Sequence, residues 1–220
     1  MTGITAVLWD MDGTLVDSET IAIAALALAI AEQGITPPED LHHSAAGRAA
    51  DDLYRWMRDA YGLGLDPLAW ERRKLHHYMR QADALRGFDA AIACWRRFEA
   101  TGIAQAVVSN SDRLIMDVNL RAVGLARPGL VTVARNDVRK GKPDPEGYHR
   151  AAHLLGAAPG ACLIVEDSLS GAAAGLASGM PVVFVPHATV PAPAGVRPLS
   201  GMEELEEIVL GPAEALRRNG

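Results

Sequence analysis

Short apolar runs alternate with stretches of helical spacing along most of this chain, and that alternation restricts the fold more than any other feature. The runs lie at residues 4–9, 104–108, 130–134, 162–165 and 181–185. Each is too short for a helix and ends at a polar or glycine-containing break, as buried strands do. Between them the apolar spacing is that of helices. Phe88, Ile92 and Trp95 share a face with Ala91 and Phe98 before Gly102. Ser111 is placed to cap a helix over 114–123 that stops at Gly124, and Asp144-Pro145 opens another over 146–155 that stops at Gly156. Strands alternating with helices predict a parallel sheet with crossover helices, a doubly wound Rossmann-like α/β fold.

Residues 18–84 break the alternation. They hold helical patterns at 19–33, 49–61 and 67–84, separated by Pro37-Pro38 and by the glycines of 62–64. The expected organisation is an α/β core from 1–16 and 86–220, with a helical domain, 17–85, inserted after the first strand. A last helix is expected over 201–210, after a loop rich in Pro and Ala. The 220 residues suffice for one domain with such an insert, and 49% hydrophobic with 5% aromatic content leaves Ala, Leu, Val and Ile to fill the core.

Composition excludes several function classes. The formal charge is −6 with no basic block, which argues against nucleic acid or an anionic membrane as partner. The longest apolar run, 21–31, is shorter than the ~20 residues of a membrane span, and acidic residues rather than a basic segment precede it. Cys94 and Cys162 form no disulfide framework and no metal spacing. A cytoplasmic protein, monomeric by default, is expected.

Polar groups follow the strand signals: Asp10 and Asp12, then Ser109, then Lys142, then Glu166 and Asp167. In a parallel sheet, ligands bind where strands end, so these groups can converge. Carboxylates crowded together call for a cation, and hard oxygen donors suit Mg²⁺ beside a phosphate. A lysine and a hydroxyl complement phosphoryl oxygens. The set fits phosphoryl transfer, in which positioning and charge neutralisation carry the catalysis. One carboxylate can attack phosphorus, and a second can serve as acid and base. Taken singly these residues have plainer roles, since Asp before Gly commonly makes a turn and most lysines lie on the surface.

Asp10-Met-Asp-Gly-Thr14 resembles the first motif of the haloacid dehalogenase superfamily in its phosphatases and phosphomutases. Val108-Ser-Asn110, Lys142-Pro-Asp-Pro145 and Val165-Glu-Asp-Ser168 resemble the second, third and fourth, in the same order. The resemblance implies Asp10 as nucleophile and Asp12 as general acid and base. Ser109, Lys142 and the backbone amides near Met11 and Asn110 would bind the phosphoryl group. Mg²⁺ would be held by Asp10, the backbone carbonyl of Asp12, Asp167 and Glu166, the last directly or through water. Asp12 argues against carbon–halogen hydrolysis, because the superfamily's dehalogenases lack that aspartate. A lone insert lysine, Lys74, and the phosphatase form of the first motif disfavour phosphonate cleavage.

The helical insert resembles the small cap of the β-phosphoglucomutase and phosphoglycolate phosphatase branch, with Arg48 and Lys74 as candidate substrate contacts. That branch's mutase carries a cap histidine where this chain has Ala22, and an arginine nearer Ala50 than Arg48. The expectation is Mg²⁺-dependent hydrolysis of a small phosphorylated metabolite through an aspartyl-phosphate. The alternatives are a phosphosugar mutase and a non-catalytic phosphometabolite-binding protein.

Overall fold

The computed structural model describes residues 3–45 and 50–211. The chain divides into two compact units, Met1–Asp17 with Arg86–Gly220, and Ser18–Leu85. In chain order the elements are β1 (Ala6–Trp9), β2 (Val16–Asp17), α1 (Glu19–Ala31), α2 (Leu41–Ala45), α3 (Ala50–Tyr61), α4 (Pro67–Arg80), β3 (Arg86–Gly87), α5 (Asp89–Ala100) and β4 (Ala104–Val108). They continue with α6 (Arg113–Ala122), β5 (Val131–Val133), α7 (Glu146–Leu155), β6 (Cys162–Glu166), α8 (Leu169–Ala177), β7 (Val182–Phe184), β8 (Arg197–Pro198) and α9 (Met202–Leu210).

The first unit is built on a six-stranded parallel sheet in the order β5-β4-β1-β6-β7-β8. The sheet is the Rossmann-like doubly wound α/β fold expected of the alternation. β1 lies between β4 and β6, with Trp9 in register with Val107 on one side and Val165 on the other. All four β1 residues are fully buried, as a central parallel strand covered on both faces requires. Ala6 and Leu8 face the cluster containing Tyr148 and Ala152 of α7. On the opposite face, Trp9 packs in tilted contact with Trp95 and Phe98 of α5, ring centroids 5.9 Å and 6.2 Å away. Its indole N–H donates to Gln105 Oε1 at 3.0 Å, and the Gln105 amide donates to the Trp95 carbonyl at 3.0 Å. The Trp9 indole N–H is thereby satisfied, whereas that of Trp95 is buried without a hydrogen-bond partner.

A second, two-stranded ladder pairs β2 with β3 antiparallel, Val16 with Gly87 and Asp17 with Arg86. This pairing is why Asp17 falls with the α/β unit rather than with the insert. Strands of two residues show no periodicity, so neither this ladder nor β8 is visible in the sequence. One cap differs from expectation as well. The N-cap of α6 is Asp112, not Ser111, whose hydroxyl is committed elsewhere.

In the second unit α1 packs on α4, and Leu26, Ile30, Met57 and Trp70 centre its apolar core. Asp66 caps α4 by accepting from Ala69 N at 2.9 Å, and Pro67 occupies the first turn, where a missing N–H costs nothing. Glu32, at the end of α1, meets Arg73 at 3.0 Å and His77 at 3.1 Å on α4. No described helix is long and apolar enough to cross a membrane.

Candidate active site

The ends of β1, β4 and β6 bring polar groups together where the strands stop. Asp10 directly follows β1 and donates its backbone N–H to Val165 O at 2.9 Å, so the neighbouring strand fixes its height. The next turn is tight: the Met11 carbonyl accepts from the amides of Thr14, Leu15 and Val16. Gly13 sits there at φ +84°, and a Cβ at that position would lie 2.1 Å from Asp167 Oδ2. Only glycine allows both that backbone conformation and that approach of the carboxylate. His187 reinforces the turn, with Nε2 at 2.9 Å from Gly13 O and its ring stacked at 3.9 Å on Phe88. Burial holds His187 below the ordinary histidine pKa.

Lys142 is the buried cation of the cluster. Its ammonium lies 2.5 Å from Asp10 Oδ1 and 2.6 Å from Glu166 Oε1, and only 5% of its side chain is exposed. Asn110 fixes the lysine's backbone: its amide donates to Lys142 O at 3.0 Å, and its Oδ1 accepts from Lys142 N at 2.8 Å. Burial would lower the Lys142 pKa, but the carboxylates of Asp10 and Glu166 outweigh it and raise the value well above normal. Asp10 is pushed well above the carboxylate range, first by burial and then by Glu166, Asp167 and Asp12, against the opposing pull of Lys142. Asp167 is raised to about 7 by burial and the charge of Glu166.

These shifts describe acidic groups short of positive charge. Oxygens of Asp10, Glu166 and Asp167 lie within 4.8 Å of one another, and Asp10 Oδ2 is buried without a hydrogen-bond partner. An orphaned carboxylate oxygen among hard donors fits a Mg²⁺-sized cation.

The Asp12 carboxylate is held differently. Its Oδ2 accepts from Ser109 Oγ at 2.9 Å and Ser111 Oγ at 2.8 Å, and its Oδ1 accepts from Asn119 Nδ2 at 3.0 Å. Ser109, expected to be open to a ligand, thus serves Asp12 here. Lys74 belongs to the helical unit, where its ammonium is 2.8 Å from Glu71 and 5.6 Å above the Trp70 ring. Arg48 lies outside the described residues.

Sequence reasoning missed the functional positions of Ser111, Asn119 and Tyr148. Asn119 is fully buried on α6 beside Met116 and Leu120. A polar residue on an otherwise apolar helical face was the available signal. Tyr148 is fully buried on α7, and its hydroxyl donates to Glu166 Oε1 at 2.6 Å.

A haloacid dehalogenase-like hydrolase family profile matches residues 4–179. Hexitol phosphatase A of Escherichia coli is 31% identical over 179 residues, covering 81% of each chain. A haloacid dehalogenase family hydrolase from Deinococcus radiodurans, solved with bound phosphate and sodium, superposes with a TM-score of 0.75 at 28% identity, covering 98% of this chain and 97% of that one. CbbY from Rhodobacter sphaeroides, solved with phosphate, gives 0.81 at 22% identity over 92% and 96%, a likeness of fold.

Proposed function

Because the chain belongs to the haloacid dehalogenase-like hydrolase family and, with phosphatases recurring among its relatives, is a phosphoric monoester hydrolase, we propose that it hydrolyses a small phosphorylated metabolite through an aspartyl-phosphate with Mg²⁺ as cofactor. The observation that carries this reading is the buried Asp10–Lys142 pair, whose second Asp10 oxygen has no partner.

In this mechanism one Asp10 carboxylate oxygen attacks phosphorus and the ester P–O bond breaks. Lys142, the Ser109 hydroxyl and backbone amides near Met11 and Asn110 bind the phosphoryl oxygens. Asp12 gives its proton to the leaving alcohol oxygen. It then takes a proton from water, which attacks the acyl phosphate, releasing inorganic phosphate and restoring Asp10. Asp10, Asp167 and the Asp12 backbone carbonyl would hold Mg²⁺, with Glu166 a fourth candidate. The ion supplies neutralisation of the charge that the phosphoryl group brings into an acidic pocket.

The hydrogen bonds on Asp12 bear on its two roles. Three donors fix the position of its carboxylate. A phosphoryl group that engages Ser109 Oγ withdraws one of them.

The test is phosphate release from a panel of hexitol phosphates, other sugar phosphates and phosphoglycolate, with Mg²⁺ and with EDTA. Release that requires the metal is expected. Silence on every ester in Mg²⁺-loaded protein would overturn hydrolysis. Phosphate exchange between sugar positions after addition of a bisphosphate would replace it with mutase activity.

A further inference from the structure

Glu166 has five hydrogen-bonding partners in this structure. Oε1 accepts from Lys142 Nζ at 2.6 Å and Tyr148 OH at 2.6 Å. Oε2 accepts from Asp167 N at 3.1 Å, Ser168 N at 3.2 Å and Ser168 Oγ at 3.0 Å. The carboxylate is completely buried and lies against Gly171 of α8, where a Cβ would come within 1.7 Å of Oε1. A carboxylate offers about four lone-pair directions, so five donors leave none for a metal. Asp10 is the opposite case, with one buried oxygen and nothing on it.

Resting on the phosphoryl-transfer reading above, we propose that Tyr148 is a positioning residue: it commits Glu166 to anchoring Lys142, and so takes Glu166 out of the metal's ligand set. Tyr148 reaches Lys142 in two ways. Its hydroxyl fixes the oxygen that the ammonium also uses, and its ring lies 5.2 Å from Nζ, within range of a cation–π contact. The lysine is thereby aimed between Glu166 and Asp10, where a phosphoryl oxygen would arrive. Asp10, Asp167 and the Asp12 carbonyl are then the groups that would hold Mg²⁺.

The experiment separates metal binding from phosphate binding by calorimetry on the whole protein. Wild type, Tyr148→Phe, Glu166→Gln and Asp167→Asn are titrated with Mg²⁺ alone, then with inorganic phosphate at saturating Mg²⁺. Tyr148→Phe keeps the ring and its packing, so it reports even if Glu166→Gln folds poorly. Tyr148→Phe and Glu166→Gln should bind Mg²⁺ within about threefold of wild type while their phosphate affinity falls about tenfold, the scale of one hydrogen bond to a charged group. Asp167→Asn should lose Mg²⁺ affinity by more than about tenfold. A loss that large in Glu166→Gln would make Glu166 a ligand and overturn the proposal. Unchanged phosphate affinity in Tyr148→Phe would also overturn it. Failure of the hydrolase reading shows separately, as wild type that releases no phosphate from any ester.

Discussion

The two units of this protein keep their charges in opposite ways. In the α/β unit the acid–base groups are buried: 5% of the Lys142 side chain, 8% of Asp10 and none of Glu166 is exposed. In the helical unit the best exposed pairs lie on the surface, as with Arg73 and Glu32 at 47% and 38%. Buried charges persist only where each satisfies the others, because removing one strands its partner in a low dielectric. Exposed pairs contribute little and exchange freely with water. The α/β unit therefore stores its chemistry in groups that cannot change one at a time, and the helical unit holds together through Trp70 and its apolar neighbours.

The largest effect expected from this contrast is on turnover. Asp10→Asn should retain the circular dichroism of wild type and lose activity by roughly 10⁴-fold or more, the scale for loss of a nucleophile. Substantial turnover in that variant would remove Asp10 from the mechanism.

Next come the two aromatic anchors. Trp95→Ala in the α/β unit and Trp70→Ala in the helical unit should each cost about 3–5 kcal/mol, because both side chains are fully buried. Denaturant melts followed by circular dichroism measure both. A Trp70 penalty below about 1 kcal/mol would mean the helical core does not rely on this packing.

The acidic cluster gives a pH effect of intermediate size. With Asp167 raised to about 7 in metal-free protein, its carboxyl holds a proton below that pH, and Mg²⁺ must displace it. Metal affinity should rise as pH passes upward through about 7, with proton release falling over the same range. The same shift sets metal-free stability. The folded state binds more protons than the unfolded state between the ordinary value of 3.8 and about 7, so stability falls as pH rises across that window. Thermal melts with and without Mg²⁺ check both signs.

The smallest effect belongs to an exposed pair. Glu204 accepts from the Ser200 amide and hydroxyl and from Arg197, which holds its pKa down to about 2. Its contribution is present above the ordinary value of 4.5 and fades as pH falls toward about 2. Glu204→Gln should cost no more than about 1 kcal/mol at neutral pH by urea melt.

Much of this was legible in the sequence. The strands at β1, β4 and β6 appear as apolar runs because a parallel sheet buries both faces, and α7 ends at Gly156 with φ +67°, where a glycine stop was expected. The acidic groups were found because they follow those strands. Less visible were the residues that orient them. Ser111 looked like a helix cap because local spacing cannot show that its hydroxyl meets Asp12, 99 positions away. Tyr148 carries no signal in the sequence, because its hydroxyl has meaning only once α7 faces β6.

The two-residue ladder of Asp17 with Arg86 and Val16 with Gly87 has a consequence for how such a protein can change. The helical unit departs and returns through adjacent, hydrogen-bonded positions. To the α/β core, all of Ser18–Leu85 is topologically a hairpin loop. Loop closure cost grows only with the logarithm of length, so the core is nearly indifferent to what is threaded there. The stem is a grafting point: an unrelated module whose ends lie side by side can replace the insert without disturbing the sheet or the order in which Asp10, Ser109, Lys142 and Asp167 are delivered to it.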